Sequence, residues 1–142
     1  CENTGPGGYF VHAGRYYVLG KAPQRLRDLF GAMVEAQDFT ASLLQPGASC
    51  REIFREYNAY LQARGVAPER RIHCHGQGYD NVEPPLIRQD ESMVIATNMN
   101  IGIHPAITQK DAFVTCCDNY FIGKDGVVER LHKTPREIVE LA

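Results

Sequence analysis

The sequence predicts an α+β fold with a mostly antiparallel sheet. Three observations carry that prediction. Two consecutive segments, from Leu26 to Leu44 and from Cys50 to Leu61, space their apolar residues three and four apart. A strand-like stretch precedes them. After them come several more, joined through short Gly- and Pro-rich turns.

In chain order, Cys1 to Gly8 is rich in Gly, Pro and Asn and reads as a loop. Tyr9 to Leu19 is aromatic and β-branched and reads as one strand. Pro23 suits the first turn of a helix, whose buried face is Leu26, Leu29, Phe30, Met33, Val34, Phe39, Leu43 and Leu44, and Pro46-Gly47 ends it. Ser49-Cys50-Arg51-Glu52 is a capping box. The helix behind it buries Ile53, Tyr57, Tyr60 and Leu61 and stops at Gly65. The basic run Arg64 to Arg71 reads as a solvated link. Pro84 to Glu91 is expected to be a loop, Met93 to Ile101 a strand buried on both faces at its start, and His104 to Lys110 a loop. Ala112 to Ile122 is expected to be one strand, turning at Lys124-Asp125-Gly126 into Val127 to Leu131. Thr134-Pro135-Arg136-Glu137 is a second capping box and predicts a short final helix.

A chain of 142 residues, 44% hydrophobic and 23% charged, is one globular domain over 1–142 with a proper core. A net charge of −2 argues against nucleic acid or an anionic membrane as partner. No apolar run is long enough to span a bilayer, and no signal-like start is visible. Five cysteines, two of them adjacent at Cys116 and Cys117, point to reduced thiols in a cytoplasm rather than a disulfide framework. A first residue that is Cys and not Met leads us to expect a longer natural chain.

The most chemically loaded stretch is His73-Cys74-His75-Gly76-Gln77-Gly78, running on to Glu83-Pro84-Pro85. On an extended chain His73 and His75 point to the same face. The glycines allow a sharp turn and a close approach beside them. These residues alone fit the lip of a site and a turn between core elements equally well.

Several pieces in order carry a resemblance. They are Gly8-Tyr9 with Arg15 and Val18-Leu19-Gly20, Leu44-Gln45-Pro46-Gly47, His75-Gly76-Gln77-Gly78, Glu83-Pro84-Pro85, Met93-Val94, and Lys124 to Leu131 followed by Lys133-Thr134-Pro135. The chain resembles the pita-bread family of aminopeptidase P, prolidase, methionine aminopeptidase and creatinase. It corresponds to the later part of their catalytic domain, with the leading part absent. The resemblance implies a curved antiparallel sheet under covering helices, and a homodimer.

Metal-dependent members of that family hold two divalent ions with Asp, Asp, His, Glu and Glu. The resemblance places those positions on Cys1, His12, His75, Asn98 and Cys117, so only the histidine is kept. Two accessory histidines of the family fall on Val82 and Arg71. Without carboxylates nothing offsets two adjacent dications. The resemblance to creatinase therefore implies a metal-independent hydrolase or lyase, without cofactor, acting on a small amide, guanidino or carboxylate-bearing compound. His75 is the candidate acid/base, with His73 and Glu83 as catalytic helpers. Asn98, His12, Val82 and Arg71 are candidate substrate contacts, and Asn98 could orient a carbonyl or amide. Three alternatives stay open. Cys1, His12, His75 and Cys117 could hold a single Zn. Cys117 and His75 could form a thiolate–imidazole pair. The cleft could instead be a non-catalytic peptide-binding module walled by Tyr9, Phe10, Tyr16 and Tyr79. Cys50 and Cys116 read as small core residues.

Overall fold

In the computed structural model, which describes residues 2–142, the helices and strands assemble around two apolar clusters. The N-terminal strands are β1 (Glu2–Thr4), β2 (Phe10–His12) and β3 (Tyr16–Leu19). Helices α1 (Gln24–Leu43) and α2 (Cys50–Ala63) follow. Then come β4 (Cys74–Gly76), β5 (Glu83–Leu86), β6 (Asn100–Ile103), β7 (Ala106–Gln109), β8 (Ala112–Thr115), β9 (Asp118–Ile122), β10 (Val128–Arg130) and β11 (Ile138–Leu141). Five strands form one antiparallel sheet in the order β10-β9-β6-β4-β5. β1–β2 and β7–β8 are antiparallel pairs, and β3–β11 is parallel. The fold class is the α+β, mostly antiparallel one that the sequence predicts.

Both helices form, but their buried faces are narrower than the apolar spacing predicts: Leu26, Leu29, Val34, Phe39 and Leu43 of α1 and Tyr60 of α2 are only partly buried. α2 buries Cys50, Ile53, Tyr57 and Leu61, and Ser49 Oγ accepts the Glu52 N–H, one half of the predicted capping box. α1 buries Phe30, Met33, Ala36, Gln37 and Thr40. One cluster lies under the five-stranded sheet, around Ile87, Ile95, Ile101, Ile103 and Ile122. The other joins α1 and α2 to Ile107, Val114 and Cys116.

Several boundaries differ from the sequence reading. The stretch from Tyr9 to Leu19 is two strands, because Gly14 pairs with Cys117 between them. Ala112 to Ile122 is likewise split at Cys116-Cys117. There the two thiols diverge: Cys116 Sγ approaches Gln37 Oε1 of α1 (3.7 Å), and Cys117 Sγ approaches Thr115 Oγ1 (3.5 Å). Met93 and Val94 are exposed, only Ile95 is buried, and the strand begins at Asn100 after a turn in which Asn98 has φ 65°. Pro84 and Pro85 lie in β5, not a loop. β5 is an edge strand, where a missing N–H is tolerated. Residues expected as a loop after His104 form β7.

The predicted final helix does not form. Arg15 donates to the carbonyls of Thr134 (3.0 Å) and Pro135 (2.8 Å), and Arg130 also donates to Thr134 O (3.2 Å). The acceptors that a first helical turn needs are thereby taken, and a segment this short nucleates a helix poorly. Ile138–Leu141 pairs with Tyr16–Leu19 instead.

Candidate active site

Three strands deliver three histidines to one place. β2 ends on His12, whose N–H donates to Asn119 Oδ1 of β9 (2.7 Å). β4 carries His75, which pairs with Gly102 of the neighbouring β6. β6 runs into His104, whose N–H donates to the His73 carbonyl (2.7 Å). The His104 ring centroid lies 4.8 Å from that of His12 and 5.0 Å from that of His75. One potential ligand atom from each of the three imidazoles lies within 4.8 Å of the other two.

Each ring is oriented by its surroundings. His75 Nδ1 lies 2.7 Å from the Gly76 carbonyl, and because that oxygen only accepts, Nδ1 carries the proton and Nε2 keeps its lone pair. His12 Nε2 lies 3.1 Å from Glu2 Oε1. By the same reasoning its free lone pair is on Nδ1, which is buried without a hydrogen-bond partner among the described residues, as is His104 Nε2. Burial lowers the pKa of all three, that of His104 to about 2. Glu2 pulls His12 and His75 back up in part, but the cluster is a set of neutral imidazoles at pH 7.

Opposite His75, β6 presents Gly102. A Cβ there would meet His12 Nδ1 and His75 Cε1, each at 3.6 Å. The missing side chain leaves the space beside the His12 and His75 rings open. Beneath them, buried amides form a platform: Asn119 Nδ2 donates to Gln77 Oε1 (2.6 Å) and Asn100 Oδ1 (3.2 Å).

The cluster lines a cavity of about 400 Å³ together with Glu2, Arg71, Val82, Phe113, Thr115 and Cys117. The structure thus gathers His12, His75, Arg71, Val82 and Cys117 into one pocket. It does not bring His73, Glu83 or Asn98 there. β4 begins only at Cys74, so the alternation that would align His73 with His75 does not reach it. The His73 ring stacks instead on Tyr57 of α2, 3.6 Å away and 8° from parallel. Glu83 accepts the Asp80 N–H (2.7 Å) and shares a second cleft with Asn98, Tyr9 and Tyr79. Gly102, not Asn98, is the β6 position directed at the histidines. Cys117 has the Thr115 hydroxyl as its side-chain partner and no imidazole among the described residues, and burial raises its pKa. Cys1 lies outside the described residues.

His104 and Glu2 are the site residues that sequence reasoning missed. A His-Pro step closing an apolar strand was the only local signal for His104. Its place depends on the β4–β6 register.

The pocket is poor in carboxylates. Glu2 is its one lining carboxylate among the described residues. Asp118, beside Cys117, is fully buried and committed to Arg15 (2.6 Å) and Arg130 (3.4 Å).

Comparison with known proteins agrees with the fold. A Xaa-Pro dipeptidase of Pyrococcus furiosus is 29% identical over 128 residues, covering 88% of this chain and 36% of the relative. The structure of a dipeptidase from Pyrococcus horikoshii superposes with a TM-score of 0.83 at 24% identity, covering 94% of this chain and 38% of that one. The N-terminal domain of the FACT complex subunit SPT16 from chickpea shares the fold at a TM-score of 0.72 and 12% identity, over 95% of this chain and 35% of that one. The chain therefore spans little more than a third of the length of these relatives. The profile of metallopeptidase family M24 matches residues 4–129, and the chain belongs to that family.

Proposed function

We propose that the pocket around His75 is the active site of a hydrolase-like M24 relative that works by acid–base chemistry, without the two-ion machinery. Its substrate class is a small amide, guanidino or carboxylate-bearing compound. The observation that carries the reading is the cluster of three buried imidazoles in a cavity with a single lining carboxylate among the described residues.

His75 is the proposed base. The Gly76 carbonyl fixes its tautomer, so Nε2 is free to take a proton from water or substrate and later return it to the leaving nitrogen. Glu2 holds the His12 ring at 3.1 Å in the way a carboxylate orients an imidazole, and makes His12 a positioning partner. Arg71, exposed at the cavity wall, has no side-chain ion pair among the described residues and suits a substrate carboxylate. Val82 and Phe113 supply apolar wall. A cavity of about 400 Å³ suits a compound of a few to a dozen heavy atoms.

The test is a screen of amide and guanidino compounds with His75→Ala as control. The variant is expected to lose turnover by about 100-fold or more while keeping its circular dichroism spectrum. Full activity in His75→Ala would remove the proposal. Binding of a peptide with no turnover of any compound would replace it with a binding role for the same pocket.

A further inference from the structure

We infer that His12, His75 and His104 together form a mononuclear site for a borderline divalent cation of the Zn²⁺ class, in place of the two-ion carboxylate site of the family. This goes beyond the acid–base reading and does not depend on it. An imidazole whose lone pair holds a cation accepts no proton, so the two are alternative states of one cluster.

Four observations converge. One potential ligand atom from each of the three rings lies within 4.8 Å of the other two. His12 Nδ1 and His104 Nε2 are buried with no hydrogen-bond partner among the described residues, on residues at least nine-tenths buried, an arrangement that ordinarily costs free energy. The far nitrogens of two rings are already engaged as those of metal-bound histidines usually are: His12 Nε2 with the Glu2 carboxylate and His75 Nδ1 with the Gly76 carbonyl. Gly102 leaves empty the space that a side chain would otherwise fill between them.

Chemistry selects the cation. Three imidazoles and one nearby carboxylate suit Zn²⁺ or Co²⁺ and are poor ligands for Mg²⁺ or Ca²⁺, which prefer oxygen. A tetrahedral ion with Zn–N of 2.0–2.1 Å wants donors about 3.4 Å apart, so each ring nitrogen moves inward by at most about 0.8 Å. The broad χ2 well of histidine allows that. All three rings line the cavity, which leaves room for a fourth donor. The set differs from the Cys1–His12–His75–Cys117 alternative by taking its third donor from His104 and no sulfur.

The measurement is equilibrium dialysis of the 142-residue chain against Zn²⁺, with Co²⁺ absorption as a spectroscopic reading. The expected result is one ion per chain and cobalt d–d bands without a thiolate charge-transfer band. His104→Gln and His12→Gln, each checked for an unchanged unfolding midpoint, are expected to weaken binding by about 100-fold. Two ions per chain, a thiolate band, no binding, or wild-type affinity in both folded variants would overturn the inference. An activity arm separates it from the proposed function. Turnover that persists in chelator leaves the acid–base reading standing whatever the dialysis shows. Turnover only in the Zn²⁺-loaded protein would sink that reading while the site stands.

Discussion

At the scale of single residues, His73 is the sharpest contrast to the cluster two positions away. It is fully buried, both ring nitrogens lack partners, and it stacks on Tyr57, whose hydroxyl is also unpartnered. Burial lowers the His73 pKa to about 3 from 6.5. The folded state thus keeps the ring neutral where the unfolded chain takes a proton. Between about pH 6.5 and pH 3 the unfolded state binds more protons, so stability rises with pH there and is lost as pH falls through that window. His73→Phe keeps the stack and removes the titration. In chelator, the wild-type urea midpoint is expected to drop between about pH 7.5 and about pH 5, and the variant's drop is expected to be smaller. Equal drops in both would show that His73 does not contribute to acid sensitivity.

At the scale of elements, the site depends on how closely β4 and β5 approach. A Cβ on Gly76 would lie 2.4 Å from the Pro84 carbonyl oxygen, a backbone atom that cannot rotate away. Gly76→Ala must therefore push β5 off the sheet or distort β4 at the residue next to His75. It is expected to destabilise the fold by about 3 kcal/mol, at the upper end of overpacking costs, readable as a lower denaturation midpoint. An unchanged midpoint would mean that β5 yields freely. Elements were also where sequence reading succeeded and failed most instructively. α1 and α2 were legible because their periodicity and breakers are local. The strand breaks at Gly14 and at Cys116-Cys117 were not, because each exists only by pairing with the other across about a hundred residues. The end of the chain read as a helix because a Thr-Pro-Arg-Glu start is a local signal, and Arg15, far away in sequence, overrides it.

At the scale of the whole molecule, the pocket is assembled from residues between Glu2 and Cys117, contributed by β1, β2, β4, β8, the end of β6 and the segments that flank β4. This explains what the sequence revealed of the site. His75, His12, Cys117, Val82 and Arg71 could be placed one by one through the resemblance, and the fold gathers them. His104 and Glu2 have no counterpart in that pattern. They become visible only when the β4–β6 register and the β1–β2 hairpin are known. No helix among the described residues is long and apolar enough to cross a membrane. The divergence of the adjacent thiols gives the intact protein a built-in gauge. Cys50, Cys74 and Cys116 are sealed in the core, whereas Cys117 lines the cavity. Among these four, a small alkylating reagent followed by peptide mass mapping is expected to mark Cys117 alone, and slowly, because burial disfavours its thiolate. Any occupant of the cavity, ion or organic compound, would then announce itself as protection of that one sulfur, without a known substrate or an assay of turnover.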